Sequence, residues 1–189
     1  MDSKKFFYKK LIKFVYPYVK NKKKIIDYGC GNGLFLSLLK TKIKKNIVFE
    51  GYDIDQELIN LCKSKRKGIL FYNANKRIEL STIGAILCLG SFHHFSEPEN
   101  ILKYFYKSLK PKGVLIIADI NPQGWLSMLL LKYNLLKLFW KNKKYYYGYY
   151  KSFKRAYTYN ELIKLIKQTK FRIIKVKKGK FSLKIILKK

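Results

Sequence analysis

The sequence predicts an α/β fold, a doubly wound and mostly parallel sheet with helices on both faces. Three observations predict it. Short apolar runs alternate with amphipathic stretches of helix length between Lys24 and Ile120. The first of those runs, "KIIDY", breaks into a turn with glycines at alternate positions, "GCGNG". The closing runs, "FRIIKVKK" and "FSLKIILKK", are joined through "KGK", which suits an antiparallel hairpin.

Each element has a local reason. Between Lys4 and Val19, the residues Phe6, Phe7, Leu11, Phe14, Val15 and Tyr18 recur at helical spacing, so the first 20 residues predict an amphipathic helix. Pro17 is expected to kink or end it. "KIIDYG" reads as a buried strand. Asn32 to Lys44 reads as a helix with Leu34, Phe35, Leu38, Leu39 and Ile43 on its inner side. "NIVFEGYDI" is the second strand and Glu57 to Lys65 the next helix. "GILFYNA" and "IGAILCLG" are strands, "SEPENILKYFYKSLK" is a helix that stops before Pro111, and "GVLIIADI" is the fifth strand. Parallel neighbours need crossovers, and helices supply them. Thr158 followed by Glu161 has capping-box spacing for a last helix, "YTYNELIKLIKQT".

The chain of 189 residues suits one domain with a single sizeable core. No internal repeat or flexible linker marks a second domain. Residues 121–157 break the alternation and read as an insert or lid, opening with an apolar helix from Trp125 to Trp140. No run of eighteen uncharged apolar residues occurs, so no conventional membrane-spanning helix is expected. The N-terminus lacks the uninterrupted apolar centre of a secretory signal, and the expected location is cytoplasmic. Cys30, Cys62 and Cys88 are isolated and form neither a disulfide framework nor a zinc pattern; free thiols in a reducing compartment are expected.

The net charge is +31, from 38 Lys and 4 Arg against 11 acids. Such a charge invites nucleic acid or anionic membrane as partner. The lysines lie along the whole chain, however, and Ala and Pro are scarce where Ile, Asn, Tyr and Phe abound. That skew follows codons rich in A and T, so mutational bias can account for much of the lysine, and the charge is weakly informative about purpose.

Function is concentrated in the glycine turn. Gly29, Gly31 and Gly33 follow the first strand, where ligands bind in open α/β sheets. Glycine permits left-handed backbone and close approach of a ligand. A dinucleotide fingerprint needs a third glycine where Leu34 stands. The pattern present is Asp27-x-Gly29-x-Gly31-x-Gly33. With the strand before it, this resembles motif I of the class I S-adenosylmethionine-dependent methyltransferases, whose fold is Rossmann-like. The likeness continues in Asp53 of "EGYDID", twenty residues beyond Gly33, in "LKPKGVLIIADI", and in "YTYNELIKLIKQTKFRIIKV". It spans roughly Lys24 to Ile120 and Thr158 to Lys189. Lys112 replaces a common glycine, Asn73 stands where an acid often follows the third strand, and Gly84 and Ala85 stand where an acid often opens the fourth.

The resemblance implies S-adenosyl-L-methionine as cofactor and assigns roles. The glycine loop and Asn32 would line its methionine part, and Asp27 would reach the amino group. Asp53 would hold both ribose hydroxyls, since a carboxylate accepts two such bonds. Ile54 would pack on the adenine, Asn73 and Ala74 would meet its edge, and Leu89 would lie beside the cofactor at the end of the fourth strand. "SFHHF" holds both histidines of the chain. His94 is the candidate general base, and a histidine packed in a loop is the alternative. Methyl transfer is an in-line displacement that depends on alignment, so the acceptor leaves little trace in sequence. The apolar helix of the insert, with its aromatic and lysine rim, points to a small or lipid-like acceptor (a quinone, a lipid or a lipid-linked sugar) and to peripheral contact with an anionic membrane. An RNA methyltransferase is the alternative, resting on charge and on "KNKKYYYGYYKSFKR". A non-catalytic relative is the third reading.

Overall fold

The computed structural model describes residues 3–43, 46–132 and 150–189. The chain order is α1 (Ser3–Val19), β1 (Lys24–Tyr28), α2 (Leu34–Lys42), β2 (Val48–Asp53), α3 (Gln56–Lys65), β3 (Leu70–Asn73) and β4 (Ile83–Leu89). A 3-10 turn (Phe92–His94), α4 (Pro98–Ser108), β5 (Leu109–Ile120) and α5 (Trp125–Lys132) follow. The chain ends in α6 (Tyr159–Lys167), β6 (Arg172–Lys178) and β7 (Ser182–Lys188). The expected insert beyond Lys132, including the end of its helix at Trp140, lies outside the described residues up to position 149.

The strands form one seven-stranded sheet in the order β3-β2-β1-β4-β5-β7-β6. The first five are parallel, and β7 runs antiparallel to both β5 and β6. The expected doubly wound architecture and closing hairpin are both present. Strand order reverses between β1 and β4, and an open α/β sheet has its binding crevice outside the carboxyl ends at such a point.

Strand alternation explains why both sheet faces are covered. Ile25, Ala85, Leu87 and Ile116 point to one face and pack with Leu11, Val15, Phe35 and Leu36 of α1 and α2. Their neighbours Ile26, Ile86, Leu115 and Ile117 point to the other and pack with Leu102, Phe105, Leu162 and Ile166 of α4 and α6. Side chains alternate along a strand, so strands apolar at every position bury both faces. The ends of α6 and α2 are also fixed locally. In α6, Glu161 N–H donates to Thr158 Oγ1 at 3.3 Å and Thr158 N–H donates to Glu161 Oε2 at 2.8 Å, the capping box expected. In α2, Gly33 is the N-cap at φ 68, so the helix starts at Leu34, two residues later than the apolar pattern suggested.

α1 ends at Val19, two residues after Pro17, at the expected bound; proline removes a backbone donor and crowds the preceding turn. One further difference has a physical cause. The fifth strand begins at Leu109, earlier than Gly113. Leu109 pairs with Ile83 and Val114 with Ala85, so the residues between bulge out of the ladder. Lys112 turns that bulge at φ 61, a conformation glycine supplies without strain.

Candidate functional site

The three glycines of the turn serve different physical needs. All have positive φ, at 84, 53 and 68 for Gly29, Gly31 and Gly33. A Cβ on Gly29 would lie 2.4 Å from Ser91 Cβ, so the segment after β4 closes directly on the turn. A Cβ on Gly33 would lie 2.9 Å from the Phe71 ring, which places α2 tightly on β3. A Cβ on Gly31 would meet nothing within 4 Å. Its backbone therefore borders open space at the carboxyl edge of the sheet. The turn is tied to β2, since Gly29 N–H and Cys30 N–H both donate to Tyr52 O, at 2.7 and 2.9 Å.

Two carboxylates flank this turn in contrasting states. Asp53, at the end of β2, accepts Gly31 N–H on Oδ2 at 2.7 Å and Asp55 N–H on Oδ1 at 3.1 Å. Each oxygen keeps a lone pair for a ligand hydroxyl. Asp27, near the end of β1, is 2% exposed, and its Oδ1 has no hydrogen-bond partner among the described residues. Burial, with Asp53 nearby, pushes its pKa from 3.8 up to about 7. A buried carboxyl oxygen without a partner is costly unless a donor or cation arrives. That orphaned oxygen, the open face of Gly31 and the free lone pairs of Asp53 fit a nucleoside carrying an amino-acid tail. Asp53 would hold its ribose and Asp27 its ammonium.

Beside the turn lies a cavity of about 490 Å³. Its walls include Gly29, Asp53, Ile54, Ala74, Ser91 and His94. Ile54 is 77% exposed, an apolar side chain with an open face on which a flat ring can pack. Of the residues singled out in the sequence, Gly29, Asp53, Ile54, Ala74 and His94 thus converge here. Asn73 does not line it. Its Nδ2 donates to Ile54 O and Gln56 Oε1, and its Oδ1 accepts Asn75 N–H. The amide holds the loop together, and Asn75, unmarked in the sequence, lines the cavity with Tyr28. Asn32 is exposed and closes a turn ahead of α2, accepting Leu34 N–H on Oδ1 at 3.1 Å.

Leu89 faces a second cavity of about 330 Å³. Tyr8 and Leu11 of α1, Ala118 and Asp119 of β5, and Phe181 contribute to its walls, which are mostly apolar. Gly90 lines both cavities. It has φ 69, and a Cβ there would meet nothing within 4 Å, so no side chain stands at the boundary on this residue.

The two histidines have separate environments. His94 is exposed, and burial of its ring, followed by the neighbouring His93, lowers its pKa below the ordinary 6.5. It is neutral near pH 7 and able to accept a proton. His93 is buried, and its Nδ1 lies 2.7 Å from Asp119 Oδ1, while its backbone N–H donates to Asp119 Oδ2 at 3.1 Å. A carboxylate oxygen accepts, so Nδ1 is the donor of this pair. Nε2 is buried without a hydrogen-bond partner among the described residues. The sequence offered both histidines but not this pairing, because it depends on β4 and β5 being neighbours. The acid closing "IIAD" was the available signal. The three cysteines are buried and free.

Comparison with known proteins bears on family and fold. A profile described as a methyltransferase domain matches residues 2–173. The chain is similar to a ubiquinone biosynthesis O-methyltransferase of Coxiella burnetii, with 27% identity over 106 residues, 52% of this chain and 44% of that protein. It is similar to a malonyl-[acyl-carrier protein] O-methyltransferase of Calditerrivibrio nitroreducens, with 31% identity over 114 residues, 53% of this chain and 39% of that one. The chain therefore spans less than half the length of these curated relatives. Its fold is similar to the crystal structure of a SAM-dependent methyltransferase from Aquifex aeolicus, with a TM-score of 0.70, 17% identity and 96% of each chain covered.

Proposed function

This chain belongs to the methyltransferase-domain family, and from that premise we propose that it moves the methyl group of S-adenosylmethionine onto a small, apolar or lipid-like acceptor, such as a quinone, a lipid or a lipid-linked sugar. The observation that carries the acceptor class is the mostly apolar cavity that meets the Asp53 cavity at Gly90. When bound, the cofactor supplies a methyl activated by a sulfonium. The protein's own part is then positioning. Asp53 accepts the ribose hydroxyls, Asp27 neutralises the ammonium, and Ile54 covers the adenine. These contacts fix the nucleoside and leave the boundary at Gly90 for the reacting end. The second cavity holds the acceptor dry and aligned, which in a displacement reaction supplies much of the rate. A hydroxyl acceptor must also lose a proton. His94, neutral near pH 7, accepts it at a ring nitrogen.

The similarity to O-methyltransferases acting in ubiquinone biosynthesis and on malonyl-[acyl-carrier protein] supports a small-molecule acceptor. The RNA-directed alternative drew on residues 141–155, of which only 150–155 lie within the described structure. Calorimetry with S-adenosylhomocysteine tests the cofactor site, and label transfer from methyl-labelled cofactor tests the acceptor. A phenol with an isoprenoid tail, the same phenol without a tail, and total RNA form the panel. Label on the tailed phenol is expected. No heat with S-adenosylhomocysteine, or label on RNA alone, overturns the reading.

A further inference from the structure

Helix α5 is built inside out. Its residue Ser127 is fully buried, and Ser127 Oγ has no hydrogen-bond partner among the described residues. Trp125, Met128 and Leu129 are instead 55%, 52% and 38% exposed. They stand three and four positions apart and so share one face. A helix facing water carries polar residues outward, and contiguous exposed apolar side chains mark a surface that meets something apolar.

The surroundings of this face identify the partner. The start of α5 is seated on the β6–β7 turn. Asn121 Nδ2 donates to Gly179 O at 2.8 Å, and a Cβ on Gly124 would lie 2.3 Å from Lys180 O. This seating brings Lys180 Nζ to 5.1 Å from the Trp125 ring. On the same hairpin Lys177 pairs in register with Lys184, and Lys178 follows. Phe7, 49% exposed on α1, lines the apolar cavity together with Phe181, Ser182 and Lys184 of the hairpin. An apolar helix face, a basic hairpin and the walls of the apolar cavity thus meet in one region of a chain with net charge +31. An indole with an ammonium group beside it suits the boundary between acyl chains and anionic headgroups. Nucleic acid would engage the lysines but leave Met128 and Leu129 in water. No helix among the described residues is long and apolar enough to cross a membrane, so the contact is peripheral.

We propose that the Trp125–Met128–Leu129 face, with Lys180 of the basic β6–β7 hairpin beside it, docks on an anionic lipid bilayer. The docking rests on the proposed apolar acceptor in one respect: it gives that acceptor a route from the bilayer into the neighbouring cavity. Flotation of the full chain with phosphatidylglycerol–phosphatidylcholine vesicles, and with phosphatidylcholine alone, is the test. A Trp140→Phe background leaves Trp125 as the single indole, since the chain has two tryptophans. Its emission shifts to the blue on anionic vesicles. Combined Trp125→Ser, Met128→Ser and Leu129→Ser lowers the vesicle partition coefficient by about tenfold or more, while affinity for poly(U) stays unchanged. Equal flotation of wild type and triple variant overturns the proposal, because the lysines alone would then explain binding. Absence of flotation by the wild type overturns it too, as does a triple variant that loses poly(U) and keeps vesicles. Calorimetry with S-adenosylhomocysteine on the same samples separates the two readings. Full heat from a protein that does not float defeats only the docking, and absent heat from one that floats defeats only the cofactor site.

Discussion

Gly29→Ala is the sharpest single perturbation of the site, because the structure assigns two separable costs to it. The first is backbone strain. At φ 84 an alanine pays about 1–2 kcal/mol for left-handed geometry. The second is collision. The new Cβ falls 2.4 Å from Ser91 Cβ and 2.6 Å from Ser91 Oγ. Ser91 has little room to yield, since its hydroxyl donates to Tyr28 O at 2.9 Å and lies 3.2 Å from Cys88 Sγ. Overpacking of this kind costs about 1–3 kcal/mol. Gly29→Ala should therefore destabilise the chain by about 2–5 kcal/mol. Gly31→Ala meets no atom within 4 Å, so it carries the strain alone, about 1–2 kcal/mol.

Urea unfolding followed by circular dichroism measures both variants, and Ser91→Gly isolates the collision. The single Ser91→Gly change loses the hydroxyl contacts at about 1 kcal/mol. In Gly29→Ala/Ser91→Gly the collision is gone, so the double variant should be more stable than the sum of the singles by about 1–3 kcal/mol. Additive costs, or a Gly29→Ala no worse than Gly31→Ala, would refute the packing assigned to Gly29. Calorimetry gives the complementary pattern. Gly31→Ala puts a methyl into the open side of the turn and should weaken S-adenosylhomocysteine at least about tenfold despite its smaller stability cost.

The remaining expectations concern Asp27, Lys112 and His94. The Asp27 carboxyl holds its proton in the folded chain up to about pH 7 and in the unfolded chain only to about 3.8. The folded state thus binds more protons between these values, and the contribution is full below about pH 4 and lost as pH rises through about 7. Asp27→Asn should remove that loss, raising ligand-free stability at pH 8 by up to about 4 kcal/mol, while weakening S-adenosylhomocysteine; unfolding midpoints across pH and calorimetry in buffers of different ionisation enthalpy check both. At Lys112, φ 61 strains any side chain, so Lys112→Val should cost about 1 kcal/mol or more while Lys112→Gly costs nothing measurable in thermal unfolding. His94→Gln should lower turnover about a hundredfold with cofactor affinity intact, and unchanged turnover on the true acceptor ends its role as base.

The sheet was legible because its central strands are apolar on both faces, a pattern that runs such as "GAILCL" and "GVLIIA" display in one dimension. The glycine turn was legible because conformational need and composition coincide there; three residues within five have positive φ, which glycine adopts without strain. Side-chain commitments were less legible. Asn73 has the right position for an adenine edge, but its amide is consumed by Ile54, Gln56 and Asn75, contacts that depend on how the loop closes. Leu89 ends β4 and, by strand alternation, shares the face of Ala85 and Leu87; that this face opens on the apolar cavity depends on how α1 packs there. The His93–Asp119 pair joins residues 26 positions apart across two strand ends, and no local spacing encodes it.

The same dependence explains how stability and function are divided at this sheet edge. Gly29 and Gly33 are needed by the protein itself, because Ser91 and Phe71 occupy the space a side chain would fill. Gly31, Asp27 Oδ1 and Ile54 are not satisfied by the protein. One borders empty space, one is a buried oxygen without a partner among the described residues, and one is an apolar side chain 77% exposed. Folding alone gains nothing from the open side of Gly31, from Asp27 Oδ1 or from the outer face of Ile54, and a partnerless buried carboxyl costs stability. Deficits of this kind, gathered around one turn, are what a ligand corrects on binding. A cation for Asp27, hydroxyls for Asp53 and a flat ring for Ile54 are carried together by a nucleoside with an amino-acid tail. If Asp27→Asn and Ile54→Ser both left S-adenosylhomocysteine affinity unchanged, these deficits would have nothing to do with that nucleoside.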